Sequence, residues 1–116
     1  MIQKTSWDAI EHETLSAAIA RRMISGQSLT VAQVYLKKGA IVPRHSHVNE
    51  QFTYIVSGAL TLIFDDGRVT LRSGELLIIP PHVPHAAEAL EDTLDMDVFV
   101  PRREDWINKT DAYLRK

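Results

Sequence analysis

Residues 39–58 read GAIVPRHSHVNEQFTYIVSG and place two histidines, one residue apart, just before an apolar run. If His45 and His47 lie on one strand, both side chains project from the same face, because successive strand residues alternate. Two imidazoles arranged in this way can bind one metal ion. The same alternation puts Gln51 on the histidine face and Glu50 on the opposite face. A turn ahead of the apolar run would change that count, so Glu50 stays open as an alternative to Gln51.

The rest of the chain consists of short runs rich in Val, Ile, Leu, Thr, Phe and Tyr, separated by turn residues. Regular spacing of this kind is typical of an all-β sandwich or barrel. Asp66-Gly67 predicts a two-residue type I′ hairpin turn, since both residues tolerate a positive φ. The eight predicted strands are 17–25, 29–37, 51–57, 59–65, 68–72, 75–80, 85–91 and 94–100.

Only the two ends of the chain carry patterns typical of helices. Residues 5–15 predict a turn or short helix, and residues 103–114 predict a short C-terminal helix. The chain has 116 residues, with no internal repeat and no linker-like stretch. A chain of this length can bury one core, so a single domain over residues 1–116 is expected, with its core at about 16–100.

Composition excludes several classes of function. The formal net charge is −2 and the pI is near 6.2, so no basic surface for binding nucleic acid is expected. Cysteine is absent, which excludes disulfides and thiolate metal ligands and agrees with a reducing compartment. The N-terminus lacks the features of a signal peptide, and no run has the length of a membrane span. We therefore expect a soluble cytoplasmic protein with no nucleic acid or membrane partner.

Two stretches together resemble the paired sequence motifs of the cupin family. Residues 39–58 match a glycine, a His-x-His pair, an acidic position and a second glycine, and residues 74–85, GELLIIPPHVPH, match Gly-x5-Pro-x-Gly-x2-His. The resemblance implies an all-β cupin barrel, also called a jelly roll or double-stranded β-helix, with short helical ends. It also implies a single metal ion bound within that barrel. The implied ligands are His45, His47, the residue at Gln51 and His85.

The chain departs from these motifs in three positions. Gln51 stands where cupins usually have glutamate, His82 where the second motif has glycine, and Ala89 where it has asparagine. Three imidazoles and an amide are all neutral, so a bound divalent ion keeps its full charge and attracts anions. A negatively charged substrate is therefore expected. This donor set suits Ni, Zn, Fe, Mn, Co or Cu, and the identity of the ion stays open.

A second group of candidate residues lies in LDMDVFVPRREDW, residues 94–106. Asp97 and Phe99 alternate onto one face of the predicted strand, and Arg103 follows just after it. A carboxylate beside a cation and a metal has the chemistry of an acid–base group. A guanidinium group matches the two oxygens of a substrate carboxylate. The neighbouring Arg102 leaves open which arginine faces the site.

The segments HSHVNEQ, PPHVPHAAEALEDT and DVFVPRREDW resemble the small bacterial cupins known as pectin-degradation proteins, and the likeness spans most of the chain. This resemblance implies a metal-dependent enzyme that converts 4,5-unsaturated uronates, which are small anionic sugars, into linear 4-deoxy-5-keto-uronates. It also implies a homodimer. A metal-dependent dioxygenase or isomerase of another small acid, and a non-catalytic sugar-binding or metal-binding cupin, remain alternatives. The implied catalytic residues are Asp97, Phe99 and Arg103, and the implied metal ligands are His45, His47, Gln51 and His85.

Overall fold

A computed structural model describes residues 2–115, which form ten strands and three short helices. The helices are a 3₁₀ turn at Trp7–Ala9, the α-helix α1 at Glu104–Ile107 and a second 3₁₀ turn at Ala112–Leu114. The strands are β1 (Glu13–Thr14), β2 (Ile19–Ser25), β3 (Thr30–Leu36), β4 (Ile41–His45), β5 (Glu50–Ser57), β6 (Ala59–Phe64), β7 (Gly67–Arg72), β8 (Leu76–Ile79), β9 (His85–Ala89) and β10 (Thr93–Val100).

The strands form two antiparallel sheets. One sheet has the order β1-β2-β3-β10-β5-β8, and the other has the order β4-β9-β6-β7. Along β3 and β10 buried and more exposed residues alternate, as expected for strands with one face toward a core. The buried faces of both sheets supply the hydrophobic core. The all-β, jelly-roll prediction is therefore confirmed.

All eight predicted strands are present, and the structure adds two that were not predicted. These are the two-residue strand β1 and β4, which leads into the histidine pair. The predicted turn at Asp66-Gly67 is wrong by one residue, because Phe64 pairs with Gly67 and the loop is Asp65-Asp66. Neither aspartate has a positive φ, so this loop is not the type I′ turn that was expected. Asp65 instead forms a two-point ion pair with Arg44.

The C-terminal helix is shorter than predicted. The α-helix covers only Glu104–Ile107 and is followed by Lys109 in the left-handed region, with φ of 58°, which ends helical geometry. The chain then folds back onto the barrel, where Trp106 and Leu114 are buried. We refer to residues 104–115 as the C-terminal segment. Among residues 2–115, no helix has the length and apolar character needed to cross a membrane.

Gly58, in the tight connection between β5 and β6, provides a stability prediction. Its φ is +96°, and a Cβ at this position would meet Thr93 Oγ1 at 2.6 Å and Thr93 Cα at 2.7 Å. Both the backbone strain and the clash oppose any side chain, so Gly58→Ala should lower the free energy of unfolding by about 2–4 kcal/mol in urea titrations. Gly26→Ala is the matched control. Apart from its chain neighbours, no atom of residues 2–115 lies within 4 Å of a Cβ placed at Gly26, and we expect a change below about 1 kcal/mol.

Candidate metal centre

Three histidines converge at one end of the barrel. His45 is the last residue of β4 and His85 is the first of β9, and these two residues are direct partners in the β4–β9 ladder. His47 lies on the loop that follows β4. One ring nitrogen of each histidine lies within 4.8 Å of those of the other two. The pairing of β4 with β9 thus unites residues that are forty positions apart in sequence.

The backbone determines how each imidazole is oriented. His45 Nδ1 lies 2.7 Å from the carbonyl oxygen of Pro43, and His85 Nδ1 lies 2.8 Å from that of Val83. His47 Nδ1 lies 3.1 Å from the carbonyl oxygen of Asn49. Because a carbonyl oxygen only accepts, these contacts favour the tautomer with the proton on Nδ1, in which the lone pair of Nε2 is available to a ligand. This is the arrangement seen in histidines that bind metal ions through Nε2.

Burial keeps these imidazoles neutral. Desolvation lowers the pKa of His45 to about 4 and the pKa of His47 to about 4. Burial likewise lowers the pKa of His85. The nearby Arg103 charge acts in the same direction on all three rings. Neutral imidazole is the form that binds a metal, so the three rings are ready to act as ligands at neutral pH.

The structure distinguishes Gln51 from Glu50. Gln51 is buried on β5 with Thr53, whereas Glu50 is exposed. Gln51 Nε2 donates to Thr53 Oγ1 at 2.8 Å, and Thr53 Oγ1 donates to Asp97 Oδ1 at 2.9 Å. This chain of hydrogen bonds fixes the direction of the amide and leaves its oxygen, Oε1, 3.0 Å from His47 Nε2.

This contact brings two potential ligand atoms together. His47 Nε2 and the Gln51 oxygen form a hydrogen bond when Nε2 carries the proton, and they are two adjacent metal ligands when Nδ1 carries it. In addition, His85 Nε2 is buried and has no hydrogen-bond partner among residues 2–115. The residues present therefore fit a divalent metal with three nitrogen ligands and one oxygen ligand.

Two buried carboxyl groups lie on β10. Burial raises the pKa of Asp97 to about 6, although hydrogen bonds and the Arg103 charge partly oppose this. Asp95 lies two residues earlier on the same buried face, and burial together with the Asp97 charge raises its pKa well above the ordinary value. Our sequence reasoning missed Asp95. The alternation of 95, 97 and 99 in LDMDVFV was the signal that could have identified it.

The structure places Arg103, rather than Arg102, at the cavity. Arg103 is 1% exposed and donates through Nε and Nη2 to Asp105, at 2.9 and 2.7 Å. Its guanidinium carbon lies 4.7 Å from the centre of the Phe99 ring. Arg102 points outward and pairs with the exposed Glu104. Phe99 is itself buried and makes an edge contact with His47 at 5.7 Å between ring centres.

The C-terminal segment closes the barrel next to the histidines, which the sequence did not predict. Tyr113 stacks on His45 with ring centres 4.3 Å apart and planes 21° apart. The Tyr113 hydroxyl accepts a hydrogen bond from Arg103 Nη2 at 2.8 Å. The cavity beneath this segment has a volume of about 60 Å³. Its polar lining includes Arg21, His45, Gln51, Thr53, His85, Asp95, Asp97 and Arg103.

These observations define the class of protein. Residues 32–101 match the family model described as a cupin domain, and the chain belongs to the cupin family. The structure of KdgF from Halomonas sp. is 30% identical, with a TM-score of 0.79, over 85% of this chain and 94% of that one. An RmlC-like cupin from Shewanella frigidimarina is 27% identical, with a TM-score of 0.84, over 91% of this chain and 96% of that one.

A third similar structure shows the fold alone. Oxalate decarboxylase from Bacillus subtilis, which contains Mn(II) centres, is 22% identical with a TM-score of 0.73, over 84% of this chain and 29% of that one. Metal-binding enzymes thus occur among the structural neighbours, and three histidines of this chain can hold an ion. The catalytic roles assigned to Asp97, Phe99 and Arg103 stay predictions, as do the ligand roles of Gln51 and the histidines.

Proposed function

We propose that this protein is a metal-dependent cupin enzyme that converts 4,5-unsaturated uronate monosaccharides into linear 4-deoxy-5-keto-uronates. The observation that carries the proposal is a neutral ligand set beside a buried, weakly acidic carboxyl group and a buried arginine. The motif resemblance to pectin-degradation cupins and the 30% identity to KdgF over most of the chain support it.

The reaction consists of proton transfers within one molecule. The proton of the anomeric hydroxyl leaves, C1 becomes an aldehyde, and the bond between C1 and the ring oxygen breaks. The resulting enol carries a C4–C5 double bond, and a proton added at C4 produces the 5-keto group. Atoms and electrons balance without an oxidant or reductant, so an acid–base group and a stabilised oxyanion are sufficient.

Each side chain has a role in this proposal. Asp97, with its pKa of about 6, accepts the hydroxyl proton near neutral pH and returns a proton to C4. Arg103 binds the substrate carboxylate, and its Nη1 has no hydrogen-bond partner among residues 2–115. Phe99 packs against the sugar ring. A divalent ion held by the histidines and Gln51 would supply Lewis-acid stabilisation of the negative charge on oxygen.

The direct test follows the ultraviolet absorbance of an unsaturated monouronate generated by a lyase. Metal-loaded protein should accelerate the decay beyond the spontaneous rate, and His47→Ala should abolish the acceleration while His12→Ala, at an exposed site, should keep it. An absence of acceleration by protein of demonstrated metal content would contradict the proposal. In that event, oxygen consumption would indicate a dioxygenase, and ligand binding without turnover would indicate a binding protein.

We also propose that the protein is a cytoplasmic homodimer, in which the outer face of the six-stranded sheet forms the interface. On strands β5 and β8 this face exposes five large apolar side chains. An exposed apolar face at a sheet edge favours association with a second copy. These side chains are Phe52, Tyr54, Val56, Leu76 and Ile78.

Sedimentation velocity tests the dimer. Ile78→Asp places a charge on the exposed edge strand and should change the sedimenting species from dimer to monomer. Val69→Asp, at an exposed apolar position on the other sheet, is the matched control and should leave the dimer intact. If the Ile78 variant dimerises as strongly as wild type, the interface lies elsewhere. If wild type is a monomer, the homodimer proposal is wrong.

A further inference from the structure

Arg21 on β2 is a buried cation to which the proposed function assigns no role. Its side chain is 0% exposed and lines the same cavity as His45 and His85. Nε donates to Glu13 Oε1 at 3.0 Å, and Nη1 donates to Asp111 Oδ2 at 2.7 Å. The third nitrogen, Nη2, is buried without a hydrogen-bond partner among residues 2–115. Arg21 is therefore held by two ion pairs, while one of its donor groups has no acceptor in the described part of the chain.

The charges around Arg21 favour an anionic acceptor. Its two carboxylate partners, Glu13 and Asp111, also pair with Arg115, and Glu13 pairs with Lys109. Three cations thus share two carboxylates, and the cluster keeps one excess positive charge. Hydrogen bonds between a guanidinium group and an anionic oxygen are stronger than those to a neutral oxygen. An incoming carboxylate would satisfy both the free donor and the excess charge.

Asp111 already shows how a carboxylate binds here. It lies on the C-terminal segment, is 1% exposed, and contacts the Nη1 end of the guanidinium group. If Asp111 moves away, Nη1 and Nη2 become two parallel donors, which is the geometry that matches a carboxylate. The cavity of about 60 Å³ is smaller than the ~300–1,000 Å³ typical of ligand pockets. Binding of a sugar acid against Arg21 would therefore displace part of the C-terminal segment, and such a shift would release Arg21.

The second buried arginine lies nearby. The guanidinium carbons of Arg21 and Arg103 are 4.1 and 4.4 Å from the centre of the same Trp106 ring. Each has one terminal nitrogen without a hydrogen-bond partner in the described chain. We propose that Arg21 binds the carboxylate of the small organic acid that enters this cavity, together with Arg103, and that Asp111 occupies the same guanidinium edge when no ligand is bound. Only the identity of the acid rests on the proposed function.

Two substitutions should act in opposite directions. Arg21→Lys keeps the positive charge but removes the two-nitrogen edge, and it should weaken the binding of galacturonate to metal-loaded protein at least tenfold. Asp111→Ala removes the competing carboxylate and should strengthen binding severalfold. Isothermal titration calorimetry measures both, with acetate as a second probe. Arg68→Gln removes an exposed charge on β7, outside this cluster, and is the matched control, for which we expect less than a twofold change.

Several results would overturn the proposal. Equal weakening by the Arg21 and Asp111 substitutions would show that both residues serve only to hold the fold together. A crystal structure of the galacturonate complex with an ordered water still bound to Arg21 Nη2 would assign that donor to solvent. If neither galacturonate nor acetate binds wild-type protein, the proposal for Arg21 is also excluded. The proposed function fails separately, if unsaturated uronates are not converted while carboxylate binding still depends on Arg21.

Discussion

His85→Ala is expected to abolish stoichiometric metal binding and, with it, the proposed activity. Loss of a group that merely supports a ligand typically costs 10–100-fold in metal affinity, so loss of a ligand should cost more than about 100-fold. We chose His85 because its Nε2 is buried and has no hydrogen-bond partner among residues 2–115, a state that native proteins avoid. Metal content after dialysis, measured by mass spectrometry, provides the test.

The stability of the same variant separates metal binding from packing. A ligand that binds only the folded state raises the melting temperature, so added Ni²⁺, Zn²⁺ or Mn²⁺ should stabilise wild-type protein and leave His85→Ala unchanged. His82→Ala is the matched control, since His82 is exposed and lies three residues away. Equal metal content in the His85 variant and wild type would contradict the three-histidine site. The three-histidine site would also be contradicted if none of these ions changes the melting temperature of wild type.

The fold could be predicted from the sequence because most strands have the residue composition and the alternation of apolar residues that are typical of β-strands. β10 and β3 alternate buried and half-buried residues along their lengths, and every predicted strand is present. β4 was missed because IVPRH contains a proline and a mixed pattern, and its pairing with β9 is interrupted between Val42 and His45. β4 is a strand because it pairs with β9, and that pairing cannot be seen in the local sequence.

The prediction of Gln51 was reached by reasoning that the structure does not support. Strand alternation from His45 through His47 requires a continuous strand, but β4 ends at His45 and a loop precedes β5. Gln51 faces inward because it belongs to β5, where Phe99 on β10 is its register partner. His82, which replaces the motif glycine, has φ of 67°. The backbone thus keeps the left-handed conformation for which glycine is favoured at that position.

Contacts between residues far apart in the sequence could not be predicted from local sequence patterns. Tyr113 covers His45 only because the chain reverses after the short helix α1 and packs back onto the barrel. Arg21 meets Asp111 across ninety positions of sequence. Neither contact follows from periodicity, because both depend on how the C-terminal segment packs. Charge and spacing predicted one helix there, whereas the segment forms a four-residue α-helix and a separate 3₁₀ turn.

Asp97→Asn should remove activity while making the metal-free protein more stable. General acid–base groups typically contribute 10²–10⁴-fold to rate, so a loss of that size is expected in the ultraviolet assay. The amide keeps an oxygen to accept the hydrogen bond from Thr53 Oγ1, so the site should retain its geometry. Wild-type activity should fall as the pH drops through the pKa of Asp97, which is about 6 in the metal-free protein and which a nearby bound cation would lower.

The sign of the stability change follows from the raised pKa. A carboxyl group with a pKa of about 6 in the folded state and 3.8 in the unfolded state binds more protons when folded between those values. Wild type therefore loses stability from this group as the pH rises from about 4 to about 6, and the loss persists at pH 7. Asparagine cannot ionise, so the variant avoids that loss, which amounts to about 1–3 kcal/mol.

Urea titrations of metal-free wild type and Asp97→Asn at pH 4 and pH 7 measure this difference. Burial also lowers the pKa of His45 and His47, which destabilises the fold as the pH drops from about 6.5 to about 4. This contribution is common to both proteins and cancels in the comparison. The variant should be more stable at pH 7 and nearly equal at pH 4. A variant that is less stable at pH 7 would show that the Asp97 carboxylate stabilises the fold, and that its pKa is not raised by burial.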